Sequence, residues 1–401
     1  MPLTSIRDRS IALGKRTFGV TWDPVTIAEA PGRIELLGNH VDYNGGPVLA
    51  GAIDRVLAIA ASPGVAGGTI ELVAGDVSPN VATLHIEACR DWTKPPGFAR
   101  PQDYAAGVIA SLLAHDHEVH GGLRLAISGA VPLGFGMSSS AALCVALVLT
   151  ISTEHLEPRQ IVEVAREAEH RCGSPVGAMD QSASIAGGVI LFEGATTSFT
   201  PLQPHLGDYV FAVADSGIPH ALGDSSYPVR VAESNRALGA LQANLAPDLA
   251  SLGDLSPDLW KTTRDTAIEG LDDVLRRRVD HVVSEVSRVR EGVEAVHSSN
   301  WIRFGELMTD SGQSSNLAYE ISHPRVEELV ALLLTREGVI GARMMGGGEG
   351  GPALALIHQD ALADVSAVLE AGYFRDNPSH LQGERLQVCV FGPGARLNRL
   401  D

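Results

Sequence analysis

Positions 131–142 read Val-Pro-Leu-Gly-Phe-Gly-Met-Ser-Ser-Ser-Ala-Ala. This segment follows a strand-like run, Leu123–Ser128, and opens a strongly apolar, helix-like one, Ser139–Ser152. A strand must therefore stop here, turn sharply and become a helix. Gly134 and Gly136 let the main chain curve closely around a ligand. Ser138, Ser139 and Ser140 fall at the helix N-terminus, where free N–H groups and the helix dipole favour an anion. No G-x-x-x-x-G-K-S/T occurs in the chain, so this is not a Walker loop. A plain turn with serine caps would read the same way in isolation.

Three further segments carry chemistry. In Gly341–Pro352, five of the six residues from Gly346 to Gly351 are glycine, a flexible run suited to main chain that must approach phosphate or another loop. Glu349 inside it is expected to face solvent. The segment from Ala30 to Gly46 packs Arg33, Asn39, His40, Asp42, Tyr43 and Asn44 between glycines. Such a turn suits a polyol, whose hydroxyls each want a donor and an acceptor. In Glu169–Gln181, Asp180 is flanked by Gly177, Ala178, Met179 and Ala183. It reads as a partly buried carboxylate in need of a partner, for which an arginine is the natural choice.

Composition narrows the function classes. Acidic residues outnumber basic ones 48 to 30, for a formal charge of −18. Such a surface repels nucleic acid and anionic membranes, so no nucleic-acid or membrane partner is expected. The scattered Cys89, Cys144, Cys172 and Cys389 form no C-x-x-C pair and read as reduced thiols. Residues 1–19 lack a signal-peptide apolar core, and the run Ala141–Leu149 is too short to span a bilayer. A cytoplasmic location is the expectation.

The 401 residues suggest two domains. Strand-like pieces are Val56–Ala61, Thr69–Val73, Leu123–Ser128, Gly188–Phe192 and Tyr209–Ala214. Helix-like pieces are Asp103–His115, Ser139–Ser152 and Pro158–Arg171, with Asp103 as N-cap and Pro158 in a first turn. Apolar residues from Leu271 to Val296 recur every three or four positions and predict one long core-facing helix with no catalytic role. The C-terminal run Leu386–Phe391 reads as a strand that returns to an earlier sheet. The expectation is an α+β fold of two lobes, residues 1–205 and 206–401, with the last strand returning to the first lobe and a cleft between them.

Taken together, the four segments resemble the GHMP kinase superfamily, and within it the galactokinases. Gly32-Arg-Ile-Glu-Leu-Leu-Gly-Asn-His-Val-Asp-Tyr-Asn-Gly-Gly46 is similar to the family signature G-R-V-N-L-I-G-E-H-T-D-Y-N-G-G. The serine segment and the glycine run resemble the family's phosphate loop and C-terminal motif. Asp103–Ile109, Ser226–Arg230 and Tyr319–Ser322 also look galactokinase-like. The resemblance implies a two-lobed GHMP kinase fold with its active site between the lobes. It makes Asp180 the catalytic aspartate and Arg33 its neighbour. It assigns Mg²⁺ to Ser140 and Glu169, and sugar contacts to Asn39, His40, Asp42, Gly177 and Tyr227. ATP falls to Gly134, Phe135, Gly136, Met137, Ser138, Ser139 and Ser140, with Gly346, Gly347 and Gly348. Trp92 and Tyr104 are candidate neighbours of adenine, though packing is the commoner role for each.

The implied reaction is in-line transfer of the ATP γ-phosphoryl group to an anomeric hydroxyl. Asp180 would accept or orient the hydroxyl proton, and Arg33 would offset charge on the transferred group. Two departures stand out. The stretch from Glu169 to Asp180 is one residue shorter than in the family. Asn39 replaces the glutamate that the family uses near the sugar's O6. Galactose is the first expectation. A uronic acid, a pentose or a modified hexose remains open, as do a non-catalytic sensor of ATP and sugar and the branches acting on mevalonate or homoserine. Oligomeric state is not legible.

Overall fold

A computed structural model describes residues 5–64, 67–95, 97–219, 226–379 and 383–400. Its first part runs α1 (Ile6–Phe18), β1 (Thr26–Leu37), β2 (Pro47–Pro63), β3 (Thr69–Ala74), β4 (Ser78–His85), α2 (Pro101–Ala114), β5 (Gly122–Gly129), α3 (Ser139–Ile151), α4 (Pro158–Arg171), α5 (Met179–Ala186), β6 (Val189–Glu193) and β7 (Ser198–Leu202). The second comprises β8 (Tyr209–Asp215), α6 (Tyr227–Asn244), α7 (Pro257–Thr263), α8 (Asp273–His297), α9 (Trp301–Leu317), α10 (Pro324–Leu334), β9 (Val339–Met344), β10 (Pro352–His358), α11 (Leu362–Ala371), α12 (Tyr373–Asp376), β11 (Leu386–Cys389) and β12 (Arg396–Arg399).

Two sheets organise these elements. The larger has the order β12-β1-β2-β5-β3-β4, with β6 and β7 attached along β2, and it is antiparallel except for the β3–β5 pair. The smaller is antiparallel, β11-β8-β10-β9. The run expected to return to an earlier sheet, Leu386–Phe391, mostly does not: Leu386–Cys389 pairs with β8, and only Phe391 bridges to Ile53 of β2. The strand that does lie in the first sheet is Arg396–Arg399, on the edge of β1.

The sequence periods explain most local choices. β1 is buried along nearly its whole length because helices cover the sheet. α3 is buried on every side, so its uniformly apolar sequence shows no stripe. Pro158 opens α4 behind a Glu157–Gln160 capping box. Asp103 is not an N-cap. It sits at the third helical position of α2, where its carboxylate accepts from the Arg100 amide at 2.8 Å. α8 is one 25-residue helix capped by Asp272, and its Leu275, Val279, Val282 and Val289 face the core. Leu271 is buried just ahead of the helix, and Val274 faces outward. All four cysteines are free and buried. Among the described residues no helix is long and apolar enough to cross a membrane.

Candidate active site

Register shifts interrupt the β1–β2 ladder between Pro31 and Arg33 and again between Glu35 and Leu37. Such irregularities re-aim side chains. They bracket a regular stretch in which Arg33 and Glu35, two residues apart, share one strand face. Both line a cavity of about 830 Å³ that opens between the two sheets' halves of the chain.

Arg33 grips Asp180 with two parallel bonds, Nε to Oδ1 at 2.7 Å and Nη2 to Oδ2 at 2.8 Å. Its Nη1 donates to the Gly136 carbonyl at 2.7 Å, and its backbone N–H to the Met137 carbonyl at 3.0 Å. The serine segment is thereby stitched to β1. A Cβ at Gly32 would lie 2.5 Å from the Met137 carbonyl oxygen, so only glycine permits this approach. Ser138, in the left-handed region at φ 55°, donates its hydroxyl to Asp180. Asp180 stands in the first turn of α5, and Ser138 precedes α3, so two helix starts face one carboxylate.

Glu169 is 2% exposed, accepts from the Gln181 amide at 2.6 Å and lines the cavity beside Ser140. Burial, and then the charge of Asp180, push its carboxyl up to about 7 against the Ser140 and Gln181 hydrogen bonds. The shortened connection thus still delivers Glu169 to the cavity.

The sugar-like loop closes the opposite wall. His40 adopts φ 60°. Its Nε2 meets the Gly347 carbonyl at 3.2 Å, and its Nδ1 meets the Tyr43 hydroxyl at 2.9 Å. A carbonyl only accepts, so Nε2 carries the proton. Tyr43 continues to Tyr319 at 2.9 Å, and Ser234 completes the chain at 2.8 Å. Asp42 and Gly177 lie in contact, since a Cβ on Gly177 would fall 1.7 Å from Asp42 Oδ2. Burial, followed by the charges of Glu35 and Asp180, pushes Asp42 up to about 7, opposed by a backbone bond from Tyr43. Tyr227, at the start of α6, sets its ring 4.9 Å from that of His40, tilted by 48°.

The structure brings together at this cavity Arg33, His40, Asp42, Gly134, Gly136, Met137, Ser138, Ser139, Ser140, Glu169, Gly177, Asp180, Tyr227, Gly346 and Gly347. Three expected contacts are not on its wall. Asn39 is fully buried and donates Nδ2 to Glu35 Oε1 at 3.0 Å and to the Gly346 carbonyl at 3.1 Å. Phe135 is 2% exposed and packs into the core with Val131 and Met137. Gly348 lies against Ile321, whose carbonyl oxygen would be 2.2 Å from an added Cβ. Glu349 is exposed but not idle, for its Oε2 accepts from the Ser226 amide at 2.7 Å and pins the start of α6. Of the two aromatic candidates, Tyr104 lines the cavity, while Trp92 packs on the core of the first sheet.

Sequence reasoning missed Glu35 and the buried layer beneath the loop. Arg343, fully buried on β9, pairs with Glu35. It also donates to Ser311 at 3.0 Å, and Ser311 donates to Glu285 at 2.6 Å. Glu285 Oε1 accepts the Gly38 and Asn39 amides at 3.0 and 3.2 Å, and Arg288 holds Oε2 at 2.6 Å. Burial works against the Glu285 charge, but Arg288, His281, Arg343 and Ser311 outweigh it and bring the carboxyl down to about 2. Burial lowers His281 to about 4, so at neutral pH it is uncharged, with Nε2 donating to the Asn39 carbonyl at 2.9 Å. The one available signal was the i, i+4 spacing of His281 and Glu285 inside an apolar stripe.

Comparison with known proteins agrees with this geometry. Three family models match: the galactokinase galactose-binding signature over residues 15–63, the GHMP kinase N-terminal domain over 103–188 and the GHMP kinase C-terminal domain over 293–374. The galactokinase of Thermotoga neapolitana is 31% identical over 352 residues, 86% of this chain and 93% of that protein. That of Chloroflexus aggregans is 32% identical over 403 residues, covering 95% of each. The crystal structure of Lactococcus lactis galactokinase complexed with galactose superposes with a TM-score of 0.88 at 27% identity, over 98% of this chain and all of that one. A mevalonate kinase from L. major, at TM-score 0.60 and 18% identity, shares the fold alone. With its arginine-clamped aspartate, serine-rich helix start and glycine-lined sugar loop in one cleft, the chain belongs to the galactokinase family of the GHMP kinases, the ATP-dependent sugar kinases.

Proposed function

We propose that the protein transfers the γ-phosphoryl group of ATP to the anomeric hydroxyl of galactose. The observation that carries this reading is the two-pronged Arg33–Asp180 pair, set between the opening turn of α3 and the loop of His40 and Asp42. Galactose is the ligand of the L. lactis relative.

Each residue has a task that its position supports. The amides at the start of α3 have no acceptor within the helix and would hold the ATP phosphates. The apolar wall of Leu57, Ile127, Leu143 and Tyr104 suits a purine ring. Arg33 fixes both oxygens of Asp180 and Ser138 takes a second site on Oδ2, which leaves a lone pair on Oδ1 for the attacking hydroxyl, whose proton Asp180 accepts or orients. Arg33 also brings positive charge to the transferred group. His40, Asp42 and Tyr227 would bind the ring hydroxyls.

The residues present also fit a magnesium ion. Ser140 and Glu169 offer hard oxygen donors side by side, and Glu169 is a buried carboxylate with no ion-pair partner among the described residues. Mg²⁺ usually takes one or two protein carboxylates and completes its shell with water and substrate phosphate. When bound, it would neutralise charge on the β and γ oxygens of ATP.

Product analysis tests the proposal. Incubation with ATP and a panel of hexoses, pentoses and uronic acids should consume ATP with galactose, and NMR should place the phosphate on C1. Turnover of another sugar with none on galactose would retire the reading.

A further inference from the structure

We propose that Glu35 reads the end of the sugar remote from the reacting hydroxyl, admitting a hydroxymethyl group and refusing a carboxylate. The idea rests on the functional reading above and deepens it.

Three observations converge on this residue. Glu35 is 6% exposed, yet it lines the cavity that holds Arg33 and Asp180. Its Oε1 is committed, accepting from Asn39 Nδ2 at 3.0 Å and pairing with Arg343. Its Oε2 has no hydrogen-bond partner among the described residues. A nearly buried carboxylate with one oxygen fixed and the other unpaired at a cavity wall is a built acceptor for a ligand donor.

Position gives the role. Arg33 marks the reacting end through Asp180, and Glu35 lies two residues further along the same strand face, about 7 Å away. A pyranose with its anomeric hydroxyl at Asp180 is long enough to bring its exocyclic carbon to Glu35. Arg343 is fully buried and does not line the cavity, so it cannot greet an incoming anion in place of Glu35.

The pair also explains the asparagine. The family signature carries asparagine at position 35 and glutamate at 39, whereas this chain has Glu35 and Asn39. The two side chains touch, so carboxylate and amide have exchanged places within one contact. Two glutamates there would set like charges together in a buried site. Asn39 instead supplies the donor that Glu35 needs. Its amide cannot be flipped, because its oxygen would then oppose Glu35 and the Gly346 carbonyl, both acceptors. The charge survives, moved onto the cavity wall, and uronic acids are excluded rather than welcomed.

Steady-state kinetics with galactose, 6-deoxygalactose and galacturonate decide the matter. A hydrogen bond to a charged group predicts that the native enzyme prefers galactose over the 6-deoxy sugar by about 10- to 100-fold in kcat/KM. In Glu35→Gln, Arg343 should hold the amide oxygen and turn the NH2 group toward the sugar. The amide then makes only a neutral hydrogen bond, so that preference should fall about tenfold, and galacturonate turnover should rise at least about tenfold. An unchanged KM for ATP and a single cooperative melting transition certify the fold. A folded Glu35→Gln enzyme that keeps the native preference overturns the proposal, as does a native enzyme that treats galactose and 6-deoxygalactose alike. Should Glu35→Gln not fold, Glu35→Asp carries the test, because it keeps the charge and draws the free oxygen back from the cavity wall. It should narrow the preference for galactose at least about threefold, and an unchanged preference sinks the idea. Absence of galactose turnover in the native enzyme instead condemns the functional reading itself.

Discussion

At Gly177 a hydrogen stands where any other residue would drive a carbon into the Asp42 carboxylate. Burial of Asp42, followed by the charges of Glu35 and Asp180, pushes its carboxyl up to about 7. The sign of its effect on stability follows. A carboxyl raised on folding stabilises the native state below its ordinary range, and that contribution is lost as pH rises through about 7. The ligand-free protein should therefore melt lower at pH 8 than at pH 5.5, and Asp42→Asn should remove roughly 2 kcal/mol of that difference, the rest belonging to Glu169. Paired denaturation curves at the two pH values check this. For Asp180→Asn, loss of the proton acceptor should lower kcat by about 10²–10⁴ while ATP still binds. Calorimetric titration with ATP beside single-turnover kinetics measures both, and near-native kcat would remove Asp180 from the chemistry. Motif and resemblance together led to Arg33, Asp180 and the serine run as neighbours, and the structure brings them to one cavity. Residue order could not disclose which side of the wall Asn39, Phe135 and Glu35 occupy. Strand register and two bulges decide that for Glu35, and loop conformation decides it for Asn39 and Phe135, none of which is written in a short motif.

The long helix α8 illustrates what an element can conceal. Its apolar stripe fixed its length and its core face, and a uniform core function was the natural reading. Yet His281 and Glu285, fully buried one turn apart, bear the sugar loop on their tips. The loop amides of Gly38 and Asn39 point at a charge lowered to about 2, so this support persists at neutral pH and fades only as pH falls from the usual carboxylate range toward 2. Glu285→Ala leaves Arg288 and two amides without their acceptor and should cost about 3–5 kcal/mol. Urea titration reads the loss, and a change below about 1 kcal/mol would show that the loop stands without it. Some helices and strands were legible from period and punctuation, as Pro158 and the run Ser139–Ile151 show. Others were not: α1, α6, α9, β9 and β10 went unread, and residues 30–37, assigned to a turn by the sugar-like motif, are buried strand. Asp103 was misplaced by three positions because an acidic residue serves either as cap or as third-position partner.

Across the whole molecule, the chain passes between the two sheets twice, from β7 to β8 and again from β11 to β12. The second passage was the harder to foresee. β12 is only four residues long, carries an arginine at each end and has none of the apolar run that marks a core strand. It nevertheless covers the outer edge of β1, from Thr26 to Glu29, a few residues from Arg33. Removing residues 395–401 should bare that edge, lower the melting temperature and promote association. Scattering and thermal melts on the shortened protein report both effects, and an equally stable monomer would deny β12 any part in holding the fold.

The two passages also end in shared ground. One buried cluster joins Val48 and Phe192 of the first sheet to Ala212, Val279 and Leu329, and another joins Leu37 and Leu49 to Phe211 and Phe304. Among the described residues the second half thus keeps no apolar core apart from the first. The partnership of Tyr227 and Gly347 with His40 is held by that common interior as much as by the connections.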